Sequence, residues 1–394
     1  MKRAIFGADH EAFRETCRTF VDRQLRPHQE KHIANHEFGR EMWVELGKQG
    51  LLGLNVPEAY GGSGVGDARF TVVLAEELSK LAVAYSSCVG ISADCVAAYL
   101  VDLGTEEQKQ RWLPGFCRGE LITALAMTEP SGGSDLAALR TRAVREVGGW
   151  RLNGSKTFIT NGYSADLIVV AARTSPERGA RGITLFVVEA GMPGFERGRK
   201  LDKVGQAESD TAELFFADVL VPDRNVLGEI DAGFGYMMER LVTERIGAAA
   251  SNIAHARQIL DETLTYARER LAFGQPIGSL QANKHLLADL VTRCEVSQAF
   301  VDACVLEEVS HTLSAVDAAK AKWWTAMVQN DVLDACVQIW GGYGYMNEYR
   351  VARAWADARV TRIWAGSNEI MKELIGRDLG LEPPRATAEP GAGR

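Results

Sequence analysis

The rhythm of apolar residues changes twice along this chain, and that order constrains the fold more than any other feature. Over residues 1–120 apolar side chains recur at three- and four-residue intervals, in Phe13–Leu25, Met42–Gly50, Phe70–Leu100 and Glu106–Phe116, which predicts an N-terminal α-helical domain. Pro27 and the Pro57–Gly66 stretch interrupt it, and Thr105 followed by Glu106 and Gln108 reads as a helix start. Over residues 121–229 the texture becomes short β-type runs: Trp150–Leu152, Thr157–Thr160, Leu167–Ala172, Ile183–Val188 and Ala212–Phe216. Gly, Asn, Asp and Pro separate these runs, so a middle antiparallel β-barrel or sandwich domain is expected. Over residues 230–380 three long helical patterns, Phe234–Leu271, Leu280–Val309 and Ala315–Ile339, predict a C-terminal four-helix bundle. The fold class is therefore α+β and multidomain, with a tail at residues 381–394 expected to be disordered.

Several classes are excluded by this order and by composition. Strands and helices do not alternate and no G-x-G-x-x-G follows a strand, so a doubly wound dinucleotide fold is not expected. A net charge of −8 gives no electrostatic reason to bind nucleic acid or anionic lipid. Seven cysteines without a C-x-x-C pair argue against a disulfide framework, and the first ten residues are too weakly apolar for a signal peptide; a cytoplasmic protein is expected. The apolar run Leu81–Val101 is long enough for a membrane span, but it carries Asp94 near its centre and many small residues, and reads as a buried helix. His28, His32 and His36 recur every four residues without an accompanying carboxylate motif, and no metal site is expected.

Three sets of residues have the chemistry to hold a flat or anionic ligand. Ala126–Asp135, with Met127, Thr128 and Ser134, is a hydroxyl- and Gly-rich loop whose backbone N–H groups are free to face an anion; it also reads as an ordinary turn. In Lys156–Gly162, Phe158 and Thr160 occupy alternate strand positions on one face, suited to a planar ring, while Asn161-Gly162 is a hairpin-turn signal. The third set is Arg270–Gln275, Gln338–Gly344 and Trp364–Ile370. Gly341 and Gly342 also fit a helix C-cap and Ser367 a helix N-cap.

Together, in this order on an α–β–α frame, these segments resemble the acyl-CoA dehydrogenase family of flavoproteins from about Phe6 to Leu379, with Pro57–Gly62 and Asp202–Phe216 also fitting. The resemblance implies FAD between the β domain and the C-terminal bundle, completed by a neighbouring subunit of a homotetramer. It implies that Met127, Thr128, Ser134, Phe158, Ile159 and Thr160 face the flavin, with Ser134 also near substrate. Arg270, Phe273, Gln281, Gln338, Gly341 and Gly342 would reach the FAD of the adjacent subunit, and Ser367, Asn368 and Glu369 would complete the contacts. Val242, Arg245, Trp364, Ala365 and Gly366 would lie on the substrate side, Arg245 in a structural or CoA-facing role. The family's usual aromatic in the strand motif is Trp, where this chain has Phe158.

The implied reaction removes an α-proton to a base and a β-hydride to flavin N5, giving a trans-2-enoyl thioester. Many members carry the base as a Glu at the position of Ala365, which has no proton chemistry. Glu244 lies on a helical stripe with Met237, Leu241, Ala248 and Ser251, an apolar face that raises a carboxylate's basicity. It also reads as a surface carboxylate paired with Arg240 or Arg245. Its position matches the alternative catalytic Glu of the long-chain and isovaleryl-type members. The expected function is therefore FAD-dependent α,β-dehydrogenation of an acyl-CoA or acyl-carrier-protein thioester, with electrons passed to an electron-transfer flavoprotein. A flavin monooxygenase on the same fold is the alternative.

Overall fold

The computed structural model describes residues 3–381, so the expected disordered tail lies, but for Leu381, outside the described residues. The N-terminal layer comprises α1 (Ala8–Phe20), α2 (Gln29–Asn35), α3 (Arg40–Lys48), α4 (Ala68–Leu81), α5 (Val83–Gly90), α6 (Ala97–Leu103) and α7 (Glu106–Cys117). Thr105 and Gln108 form a reciprocal capping box at the start of α7, as the sequence predicts. The expected single helix over Phe70–Leu100 is broken twice. Ala82 is extended (φ −160°, ψ 143°), and a π-helical turn at Ile91–Val96 joins α5 to α6. No Pro or Gly announces the break at Ala82, and only Gly90 precedes the π-helical turn. Residues 81–85 are all buried, so packing and not local propensity sets the bend. The apolar run with Asp94 is a core helix, 72% buried over its most apolar window.

The middle layer is a sheet of eight strands: β1 (Thr123–Ala126), β2 (Arg142–Glu146), β3 (Gly149–Thr160), β4 (Leu167–Arg173), β5 (Ile183–Glu189), β6 (Phe195–Lys200), β7 (Thr211–Pro222) and β8 (Val226–Leu227). They run in the order β6-β7-β3-β2-β4-β5-β8, with β1 added beside β4. The expectation of a purely antiparallel domain needs correction, because β1 pairs with β4 in parallel. Asn161-Gly162 is not a hairpin turn either: β3 pairs with β2 and β7, not with β4. The buried Asn161 amide donates to the Cys88 and Thr123 carbonyls and pins this corner to the helical layer.

Strands β4 and β5 are buried on both faces. Leu167, Val169, Ala171, Ile183, Leu185 and Val187 point into the N-terminal helical core, while Ile168, Val170, Ala172, Phe186 and Val188 fill the core of the β domain. The third layer is a helical bundle of α8 (Gly233–Glu269), α9 (Gln281–Val309), α10 (Ala315–Trp340) and α12 (Asn368–Asp378), with α11 (Arg350–Ala358) between α10 and α12. It has its own core, from Ile246 and Ile253 to Val332 and Cys336. The sheet is tied to the bundle where the Gln206 backbone N–H donates to the buried carboxylate of Asp357 on α11.

Candidate active site

Two of the segments singled out in the sequence meet at the end of β3. Thr157 N–H donates to the Thr128 carbonyl at 3.0 Å, placing the Met127–Asp135 loop beside the strand. Beneath it, the fully buried Lys156 ammonium donates to the Met127 carbonyl and to Glu129 Oε1, both at 2.9 Å. Glu129 also accepts from the Arg140 and Thr141 backbone N–H groups at 2.6 and 2.8 Å. Burial alone would raise the Glu129 carboxyl, but Lys156, Thr141 and these N–H donors outweigh it and hold it at about 2. The sequence reading gave neither Lys156 nor Glu129 a role; together they fix the loop.

The expected alternation of Phe158 and Thr160 on one face does not hold. Between Lys156 and Ile159 the pairing with β7 shifts by a residue, and Phe158 takes φ +58°. Phe158 is consequently 69% exposed, Ile159 is buried in the β core, and Thr160 turns into a cavity.

That cavity, of about 170 Å³, lies between α4, the α5–α6 helix and α8, and Glu244, Trp364 and Ala365 line it together with Thr160. Of the predicted stripe, Ala248 and Ser251 share the cavity wall with Glu244, whereas Met237 packs in the N-terminal core. Neither surface pairing forms. Arg240 binds Asp102, and Arg245 is buried with its Nε directed at the Ala365 carbonyl at 3.4 Å. Its contact with the Ala365 carbonyl gives Arg245 a structural role at the Trp364–Gly366 turn, one of the two roles expected of it. Burial raises the Glu244 carboxyl, opposed by Arg245, a hydrogen bond from Cys95 and the charge of Lys322. All seven cysteines are free and buried, as expected of core filler, but Cys95 also lines the Glu244 cavity.

The Trp364–Gly366 turn is held by contacts that sequence spacing could not reveal. Ala365 (φ +50°) and Gly366 (φ +87°) both sit in the left-handed region, and a β-carbon at Gly366 would come within 2.5 Å of Met371 Cε. Lys322, fully buried on α10, donates to the Gly366 carbonyl at 2.6 Å. Burial lowers its ammonium to about 8, with Arg245 pushing the same way. Ser367 caps α12, accepting from Ile370 N–H at 3.4 Å, as one of its two sequence readings predicts. Asn368 is buried with neither side-chain amide atom bonded, while Glu369 is exposed.

Except for Val242, the remaining predicted residues cluster around the C-terminal end of α8 and the ends of α9 and α10. Arg270 lies at the C-terminal end of α8; twenty-six residues at ~1.5 Å rise put it about 39 Å along the axis from Glu244. Its guanidinium sits 5.6 Å from the ring centre of Tyr343. Phe273 (φ +53°) and Gly274 (φ +76°) form the tip of a tight hairpin, leaving Phe273 92% exposed. Gln338, Gly341 and Gly342 are exposed nearby, with Gly341 as the C-cap of α10, and Gln281 opens α9. Val242 is half-buried one turn before Ile246 and does not line the cavity.

A carboxylate in a small apolar cavity between the N-terminal helices and the bundle, reached from the β domain by Thr160, has the form of an enzyme active site for an apolar substrate. Family models for the acyl-CoA dehydrogenase N-terminal, middle and C-terminal domains match residues 7–120, 124–219 and 231–380. The chain is 45% identical over 383 residues, 96% of its length and 88% of the relative's, to the long-chain specific acyl-CoA dehydrogenase of Rattus norvegicus mitochondria. Its structure superposes on the acyl-CoA dehydrogenase of Geobacillus kaustophilus with TM-score 0.94 at 42% identity, covering 96% of this chain and 100% of that one. A glutaryl-CoA dehydrogenase of Mycobacterium smegmatis in complex with FADH2 matches with TM-score 0.90 at 26% identity, over 97% of each chain. The chain belongs to the acyl-CoA dehydrogenase family, and it is an FAD-dependent enzyme that oxidises acyl-CoA. The residues present fit that cofactor: Asn368 is buried with its amide unpartnered, Gly341 and Gly342 have nothing within 4 Å of an added β-carbon, and Thr160 opens directly onto the Glu244 cavity.

Proposed function

We propose that Glu244 is the base that removes the α-proton of an acyl thioester bound in this cavity. The observation that carries the reading is a carboxylate facing the cavity with its basicity raised by burial, while Ala365 occupies the position where many relatives hold theirs. The thioester carbonyl is polarised by backbone N–H groups of the Ala365–Gly366 turn, whose orientation Lys322 and Arg245 maintain, and this acidifies the α-hydrogen. Trp364 bounds the cavity close to the reacting carbons, and Cys95 lines it beside Glu244. FAD, bound by Met127, Thr128, Ser134, Phe158, Ile159 and Thr160 with Ser367, Asn368 and Glu369, supplies the acceptor for the β-hydride. Arg270, Phe273, Gln281, Gln338, Gly341 and Gly342 complete the FAD site of a second subunit in a homotetramer, a reading supported by the position of Arg270 about 39 Å along α8 from Glu244. An electron-transfer flavoprotein takes the electrons onward.

Glu244→Gln should retain bound FAD and the protein's unfolding temperature, yet lose about 10²–10⁴-fold in turnover and fail to bleach the flavin anaerobically. The test uses a panel of acyl-CoA and acyl-carrier-protein thioesters, which also decides the carrier. Ordinary bleaching by the variant would remove Glu244 from the mechanism.

A further inference from the structure

The cavity that Glu244 lines carries another carboxylate, Asp94, that α-proton abstraction does not use. Gly90, Ile91, Asp94 and Cys95 line the cavity at helical spacing from α5 through the π-helical turn. Four polar residues on the same cavity wall have protein partners: Thr71 donates to the Ala68 carbonyl, Ser86 to Val83, Thr243 to Glu308 and Asn252 to Thr325. Asp94 has none among the described residues. Two glycines flank it: a β-carbon at Gly90 would stand 3.7 Å from Asp94 Oδ2, and one at Gly247 of α8 would stand 3.9 Å away, both ordinary contact distances. Gly247 follows Glu244 by three residues on α8, so the Asp94 oxygen faces α8 about one helical turn beyond the base.

A lone carboxylate among Val72, Val83 and Ile246 costs folding free energy that a leucine there would not, and burial pushes its carboxyl up to about 7. A side chain kept at a cost to stability on the wall of a substrate cavity points to recognition of what enters. We propose that Asp94 is a specificity-determining residue that accepts a hydrogen bond from a hydroxyl or amine on the acyl chain, a few carbons beyond the reacting pair. The preferred substrate is then a polar-substituted acyl thioester and not a plain alkyl one. This rests on the cavity being the acyl site of the proposed reaction.

The test compares FAD-loaded wild type with Asp94→Leu and Asp94→Asn on octanoyl-CoA and on its analogues bearing a hydroxyl or an amine at carbon 4, 5 or 6. Wild type should favour one substituted analogue by about ten- to a hundredfold in kcat/KM. Asp94→Leu should lose that preference, improve on the plain chain and unfold at a higher temperature. Which analogue wins distinguishes hydroxyl from amine. Equal ratios in wild type and Asp94→Leu, or a wild-type preference for plain octanoyl-CoA, would overturn the assignment while leaving Glu244 as base. Absence of bleaching by any thioester would overturn both.

Discussion

Lys322 illustrates how a side chain outside the proposed proton transfer shapes the carboxylate proposed to carry it. Its ammonium holds the Gly366 carbonyl, and its charge lowers the Glu244 carboxyl that burial raises. A base must be ionised, so kcat/KM should rise with pH through a pKa above the ordinary carboxylate value. In Lys322→Met the opposing charge is gone, and that rising limb should move to higher pH; a pH–rate profile measures it. Loss of rate at every pH with an unmoved limb would reduce Lys322 to a structural tether. That Glu244 would line a cavity with Ala248 and Ser251 was legible from its helical spacing, and the family resemblance with Ala365 in place of a Glu drew attention to it. Lys322, Cys95 and Asp94 were not legible as parts of the site, because each reaches it from another element and one sequence gives no measure of that approach.

The β3 bulge and the 37-residue helix α8 carry the site between them. Helical and strand periodicity in the sequence marks both, yet the bulge that sends Phe158 outward and Thr160 inward has no signature in a run that alternates correctly. The breaks at Ala82 and Ile91–Val96 are hidden for a similar reason, since tertiary packing overrides residues that are acceptable in a continuous helix. Acid should act on the loop beside the bulge. A carboxyl whose folded pKa lies below its unfolded value contributes stability above the unfolded value, near 4.5 for Glu129, and that stability is lost as pH falls towards about 2. Glu129→Gln should therefore be less stable than wild type at neutral pH, and the gap should narrow across that interval in urea melts. A constant gap would mean that the Lys156–Glu129 pair does not set the loop's acid sensitivity.

On the scale of the molecule, the α–β–α order was readable because each layer has its own hydrophobic period. What lay beyond a single chain's pattern was the pairing of surfaces. Phe273, Leu271, Tyr345 and Tyr343 are left exposed around Arg270, about 39 Å from the base. Phe273→Asp should lower both subunit association, followed by light scattering, and the flavin-to-protein ratio; loss of one without the other would separate the interface from the cofactor site. The net charge of −8 adds a related demand: an anionic thioester carrier must be met by local basic groups and backbone N–H donors against the field of the whole protein.

The two-faced burial of β4 and β5 means that the middle domain has no outer surface along those strands. Its recognisable span, residues 124–219, is a unit of ancestry and not a unit that can be cut out. Expressed alone, it would present the row of Leu167, Val169, Ala171, Ile183, Leu185 and Val187 to water, a broad sticky stripe on paired strands. Such a fragment should collect in inclusion bodies, while one extended to include the first 120 residues should stay in solution. An insertion or circular permutation of this enzyme would have to spare that shared wall, because a change there is felt in two cores at once.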